Sequence, residues 1–126
     1  MKIHIYEKDL SLLKLYKDVL RVKGHEAQGF TKLYTCPCFS SGEHSCNSAD
    51  QQPGAVIIDT RLISPDLEPL KYHAHKDCQC HSVRFAVIGT AFTDEQKECI
   101  ERLGHFSLRK PFRLSELNDW LGSCVA

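Results

Sequence analysis

Ala55-Val56-Ile57-Ile58-Asp59 decides the fold. Its apolar run has no polar face, the pattern of a strand buried on both sides in a parallel sheet. It ends on a carboxylate. Downstream, Phe85-Ala86-Val87-Ile88 repeats the pattern and ends at Gly89-Thr90. Upstream, Lys2 to Tyr6 alternates polar with apolar residues as a strand does, and runs into Glu7-Lys8-Asp9. Leu10, Leu13, Tyr16 and Leu20 then recur at helical spacing until Gly24 stops the helix. His25 to Phe30 is a short second strand.

Beyond Thr90, Thr93-Asp94-Glu95-Gln96 has the residues of a helix start, Cys99, Ile100 and Leu103 supply an apolar face, and Gly104 closes the helix. His105 to Leu108 is a fifth strand, Lys110-Pro111 a turn, and Ser115 the expected cap of a last helix carrying Leu117, Trp120 and Leu121. Strands and helices alternate, which predicts an α/β domain over residues 1–126: a doubly wound, five-stranded parallel sheet with helices on both faces. Thr31 to Gly54 interrupts this rhythm. A helix belongs there, but the stretch is rich in Cys, Ser, Gly, Asn and Pro, so the second helix is expected to be degraded or replaced by a Cys-rich loop. Lys71 to Ser82, crowded with His and Cys, is the other irregular segment.

With 16 Lys+Arg against 16 Asp+Glu, the chain has no net charge and no basic stripe, which argues against nucleic acid or an anionic membrane surface as partner. No apolar run is long enough to span a bilayer, and Met1 to Tyr6 lacks the pattern of a secretion signal, so a cytoplasmic location is expected.

Sites in open parallel sheets form at the carboxyl ends of the strands. Here those ends carry Glu7 and Lys8, Asp59, Thr90 and Lys110, so that carboxylate, hydroxyl and ammonium groups share one crevice. Through Ile5-Tyr6-Glu7-Lys8-Asp9, Val56-Ile57-Ile58-Asp59, Val87-Ile88-Gly89-Thr90-Ala91 and Leu108-Arg109-Lys110-Pro111-Phe112, the chain resembles the receiver domains of bacterial two-component response regulators. The resemblance runs over nearly the whole length. It implies a flavodoxin-like fold, a phosphoryl group accepted by Asp59, and a relay through Thr90 toward the helix after it and the fifth strand. A sensor histidine kinase or phosphotransfer protein would be the donor and an effector protein the target, with a homodimer as one mode of assembly.

The chemistry suits those residue types. Asp59 would be the nucleophile, Lys110 a point charge on a phosphoryl oxygen, and Thr90 a hydrogen-bond donor to another. The sequence departs from the family at Lys8, where a second acid normally helps to hold magnesium. An ammonium repels a hard cation instead of ligating it, which argues against a magnesium site. Two outcomes compete. Either Asp59 makes a permanent ion pair with Lys8 or Lys110 and the domain docks partners without phosphorylation, or Asp59 is phosphorylated more slowly and with less dependence on the metal. By the resemblance the family's aromatic switch position falls on Ser107 or, with a slip of one residue, on Phe106; if it is Ser107 the moving ring is missing and Phe106 reads as core.

Seven cysteines are many for this length, and an odd number does not close a disulfide framework. Cys36-Pro37-Cys38 and Cys78-Gln79-Cys80 follow the second strand and precede the fourth, where the fold allows them to meet. Four thiolates suit a tetrahedral, structural zinc ion that would staple two weak segments, with Cys46, His44 or His81 as alternative ligands. Other metals, free thiols and redox chemistry are the competing readings. Cys99 and Cys124, on helices and without clustered partners, read as packing residues.

Overall fold

The computed structural model describes residues 2–31, 54–63 and 83–125. Strand β1 (Lys2–Tyr6) leads through the 7–9 loop into helix α1 (Leu10–Val22), and β2 (Glu26–Phe30) follows. Strand β3 (Ala55–Asp59) ends in a single 3-10 turn (Thr60–Leu62). Then come β4 (Arg84–Gly89), helix α2 (Asp94–Arg102), β5 (Phe106–Arg109) and helix α3 (Leu114–Val125). The five strands pair in parallel in the order β2-β1-β3-β4-β5, a doubly wound arrangement in which the order of strand addition reverses between β1 and β3.

Local chemistry accounts for the elements. Asp9 caps α1, its Oδ1 accepting from the amides of Ser11 at 2.9 Å and Leu12 at 3.2 Å. At the other end Gly24 takes φ +89°, a left-handed value that a side chain resists. Thr93 and Gln96 form a reciprocal capping box on α2, and Gly104 (φ +82°) ends that helix. Helix α3 begins at Leu114, so Ser115 lies inside its first turn and is not its cap.

Alternation along the strands sorts the core onto two faces. Ile3, Ile5, Ala55, Ile57, Ala86, Ile88 and Leu108 pack under α1 and α3 against Leu13, Tyr16, Leu20, Leu117, Trp120 and Leu121. On the opposite face Tyr6, Val56, Ile58, Phe85 and Val87 meet Cys99 and Ile100 of α2. Burial of each large aliphatic or aromatic side chain is worth about 1.5–3 kcal/mol against exposure. Cys99 is therefore a core residue, and Cys124 packs at the edge of the α1–α3 core. Phe106 also belongs to that core, stacking on Trp120 at 6.1 Å, while Ser107 points to the α2 side. Helix α1 leaves Leu10, Leu15 and Val22 exposed on its outer surface.

One sheet contact is made by a side chain. The amide of Phe85 donates to Nδ1 of His105 at 3.1 Å, one residue before β5 begins. The ring also packs edge-on against Phe85 at 4.8 Å.

The region expected to lack its helix, and the residues Cys36, Cys38, Cys46, Cys78, Cys80, His44 and His81, lie outside the described residues. Among the described residues no group of three or more potential ligands is arranged for a metal, and no helix is long and apolar enough to cross a membrane.

Candidate functional site

Strand register brings the acids together. Tyr6 pairs with Ile58 on adjacent parallel strands, so the next residue on each, Glu7 and Asp59, emerge side by side on the same face. Ladder-like hydrogen bonds hold their neighbours in place, from the Glu7 amide to the Phe30 carbonyl (3.0 Å) and from the Lys110 amide to the Gly89 carbonyl (2.8 Å). Glu7 and Asp59 are 1% and 2% exposed, the two buried charged residues among those described. Burial of this kind requires partners for the charges.

The partners are two cations. Lys110 Nζ lies 2.5 Å from Asp59 Oδ2 and 3.3 Å from Glu7 Oε2. Arg61 reaches back from the 3-10 turn, with Nη2 2.7 Å from Glu7 Oε1 and Nε 3.2 Å from Asp59 Oδ1. Backbone amides finish the set: Arg61 N donates to Asp59 Oδ1 at 2.8 Å, and Asp9 N to Glu7 Oε1 at 3.1 Å. All four carboxylate oxygens thus accept from a cation, and the formal charges cancel.

These contacts set the titration of the site. Burial alone would raise the Asp59 pKa, but it is outweighed by the hydrogen bonds from Lys110 and the Arg61 amide and by the Lys110 charge. The Asp59 carboxyl is therefore held below its ordinary value. The Arg61 guanidinium is pushed up by its hydrogen bond to Asp59 and that residue's charge. Tyr16, on α1 and stacked on Phe112 at 6.0 Å, is pushed up to about 12 by burial, then by Glu7, Asp59 and Asp9. It keeps its proton beside the acids.

Of the residues read from the sequence, Glu7, Asp59 and Lys110 meet in this cluster. Lys8 is exposed and joins none of these contacts; of the two lysines expected to pair with Asp59, it is Lys110 that does so. Asp9 is committed to capping α1. Thr90 lies on the same rim, one residue past β4, but is exposed and makes none of the hydrogen bonds of the cluster. Arg61 was missed: an arginine after a strand-ending aspartate reads as a solvated turn residue. No local signal marks it, because its side chain is brought back over the acids by the 3-10 turn that follows the strand.

Gly89 makes room for this turn. A Cβ there would sit 2.8 Å from Thr60 Oγ1 and 3.0 Å from its Cγ2, so a side chain on β4 would displace the residue before Arg61. Next to it, a groove of about 450 Å³ opens between α2 and β5, lined in part by Phe92, Lys97, His105 and Ser107.

The donor set does not fit magnesium. That ion demands near-octahedral oxygen ligation at about 2.0–2.1 Å, and here each oxygen of both acids already faces an ammonium or guanidinium. A double positive charge added to a neutral, buried cluster would also be unfavourable.

No family model matches the sequence, and no curated protein matches it. In structure the chain is similar to the non-phosphorylated receiver domain of HemR from Leptospira biflexa, with TM-score 0.70 and 18% identity, over 99% of this chain and 94% of that one. A CheY-like response regulator from Mesorhizobium loti gives TM-score 0.69 and 19% identity, over 98% and 97%. The receiver domain of a sensor histidine kinase from Pseudomonas aeruginosa, which coordinates magnesium in its active-site cleft, gives 0.70 and 17%, over 98% and 96%. The architecture is thus a five-stranded flavodoxin-like α/β fold with a charged site at its switch point. More narrowly, it is the fold of response regulator receiver domains.

Proposed function

We propose that the chain is a receiver-type signalling domain in which Asp59 accepts a phosphoryl group and the result is read through protein contacts. The observation that carries this reading is a buried carboxylate at the end of the central strand, with a lysine ammonium from β5 on one oxygen and a second acid beside it. That is the positioned nucleophile and charge partner that phosphoryl transfer needs.

The geometry divides the work between the two Asp59 oxygens. Oδ1 is held by the Arg61 amide and guanidinium, which leaves Oδ2, bound only by Lys110, as the attacking atom. In the reaction an electron pair on Oδ2 forms the new O–P bond of an acyl phosphate while the P–N bond of a donor phosphohistidine breaks. The electron pair of that bond leaves with the imidazole nitrogen. Lys110 then follows a phosphoryl oxygen as its counter-charge. A sensor histidine kinase or phosphotransfer protein in the cytoplasm would supply the donor, and an effector protein would read the product.

Incubation with acetyl phosphate followed by intact mass measurement tests the reading. One added phosphoryl group is expected in the native protein and none in Asp59→Asn. An inert native protein would leave a docking module that works without phosphorylation. On sequence alone we also propose the structural zinc of Cys36, Cys38, Cys78 and Cys80; the same spectrum, recorded under native conditions, shows whether one ion travels with the protein.

A further inference from the structure

We propose that Arg61 is the resident cation of this site, standing where a divalent ion would bridge the two acids, so that phosphoryl acceptance at Asp59 is independent of magnesium. The proposal rests on Asp59 being the phosphoacceptor, but its first observation does not. A planar guanidinium spans two acceptors with fixed geometry, and Arg61 uses separate nitrogens for Glu7 Oε1 (2.7 Å) and Asp59 Oδ1 (3.2 Å). It thereby joins the acids of β1 and β3.

The position is built into the backbone. Asp59 caps the 3-10 turn by accepting from the Arg61 amide, so the carboxylate that the guanidinium neutralises also anchors its main chain. Gly89 leaves the space into which Thr60 tucks. Lys8, exposed at the place of a second acid, adds a positive charge at the mouth and further disfavours a metal ion.

Charge bookkeeping favours the same assignment. At rest, two acids and two cations sum to zero. Acceptance of a phosphoryl group replaces the Asp59 charge with about two negative charges. Lys110 and Arg61 then hold the site near one net negative charge, whereas without Arg61 it would carry about two. The Arg61 side chain is 53% exposed while Asp59 is 2% exposed. The guanidinium therefore covers the carboxylate from the solvent side, and is free to swing outward and take the incoming phosphoryl oxygens as a two-pronged ligand while its amide keeps Oδ1 in place.

Two measurements test this. In the first, manganese is titrated into native protein, Arg61→Ala and Arg61→Ala/Lys8→Asp, and paramagnetic broadening is followed at the amides of residues 7–9 and 59–61. Native protein is expected to show no local broadening through the millimolar range, and the double variant to show it. Local broadening in native protein at or below millimolar manganese overturns the assignment. In the second, the rate of acetyl phosphate labelling is compared in chelator and in magnesium. The native rate is expected to agree within about twofold, and Arg61→Ala to lose at least about tenfold in chelator. Arg61→Lys, which keeps the charge and a folded turn, is expected to fall between them. A native rate that depends on magnesium overturns the proposal. If no protein is labelled under any condition, the phosphoacceptor reading fails, and the manganese titration still decides the assignment of the cation.

Discussion

Two halves of one sheet rim differ in how they are finished. On the β1–β3 side, Glu7, Asp59, Arg61 and Lys110 form a closed set of ion pairs in which each carboxylate oxygen is matched. On the β4–β5 side, Thr90 is exposed and a groove lined in part by Ser107 opens beside α2. The β1–β3 half is tightly determined by charge and the β4–β5 half by little besides packing. The two halves can therefore be perturbed separately, and the interior charge of the first half should dominate stability.

The sharpest way to break the closed half is Lys110→Met. It leaves two buried acids with one half-exposed cation, and removal of one partner of a buried pair costs about 3 kcal/mol. Urea unfolding at neutral pH is expected to show a loss of that size, and a loss under about 1 kcal/mol would mean that Lys110 is a surface lysine.

Acid separates the halves next. His105 belongs to the open side, and burial, then the charge of Arg84, pushes its pKa down from 6.5 to about 4. Its Nδ1 must stay unprotonated to accept from Phe85. The unfolded chain therefore binds the proton first as pH falls. Stability is complete above the unfolded value of 6.5 and is lost progressively toward about 4, where the folded ring also charges. About 2 kcal/mol should disappear across that window, and His105→Gln should remove this slope. Asp59, with its pKa lowered from 3.8, gives up its own contribution only at pH below this window. A loss that survives in His105→Gln would move the acid sensitivity to the carboxylates.

The smallest effect is expected at Thr90, and it sharpens the contrast. With no hydrogen bond to the cluster to lose, Thr90→Val should leave the urea midpoint within about 0.5 kcal/mol of native protein. A shift comparable to that of Lys110→Met would put Thr90 in the charged half.

Much of the fold was legible because parallel strands advertise themselves. Ala55 to Ile58 and Phe85 to Ile88 admit no polar face, and Asp9, Thr93, Gly24 and Gly104 punctuate the helices with the chemistry that ends require. The site was legible as far as each residue closed its own strand: Glu7, Asp59 and Lys110 were readable in that way. Arg61 was hidden because its role depends on register between β1 and β3 and on the backbone folding over after Asp59. Neither is a local property. The Ser115 cap failed for a related reason, since Ser and Leu at a helix start are separated by one residue of pairing that local preference does not decide.

The loop from Glu7 to Asp9 joins the acid cluster to the start of α1. The Asp9 amide rests on Glu7 Oε1 while its carboxylate fixes the first turn of the helix. The first turn of this thirteen-residue helix therefore takes its footing from the same carboxylate that Lys110 and Arg61 hold.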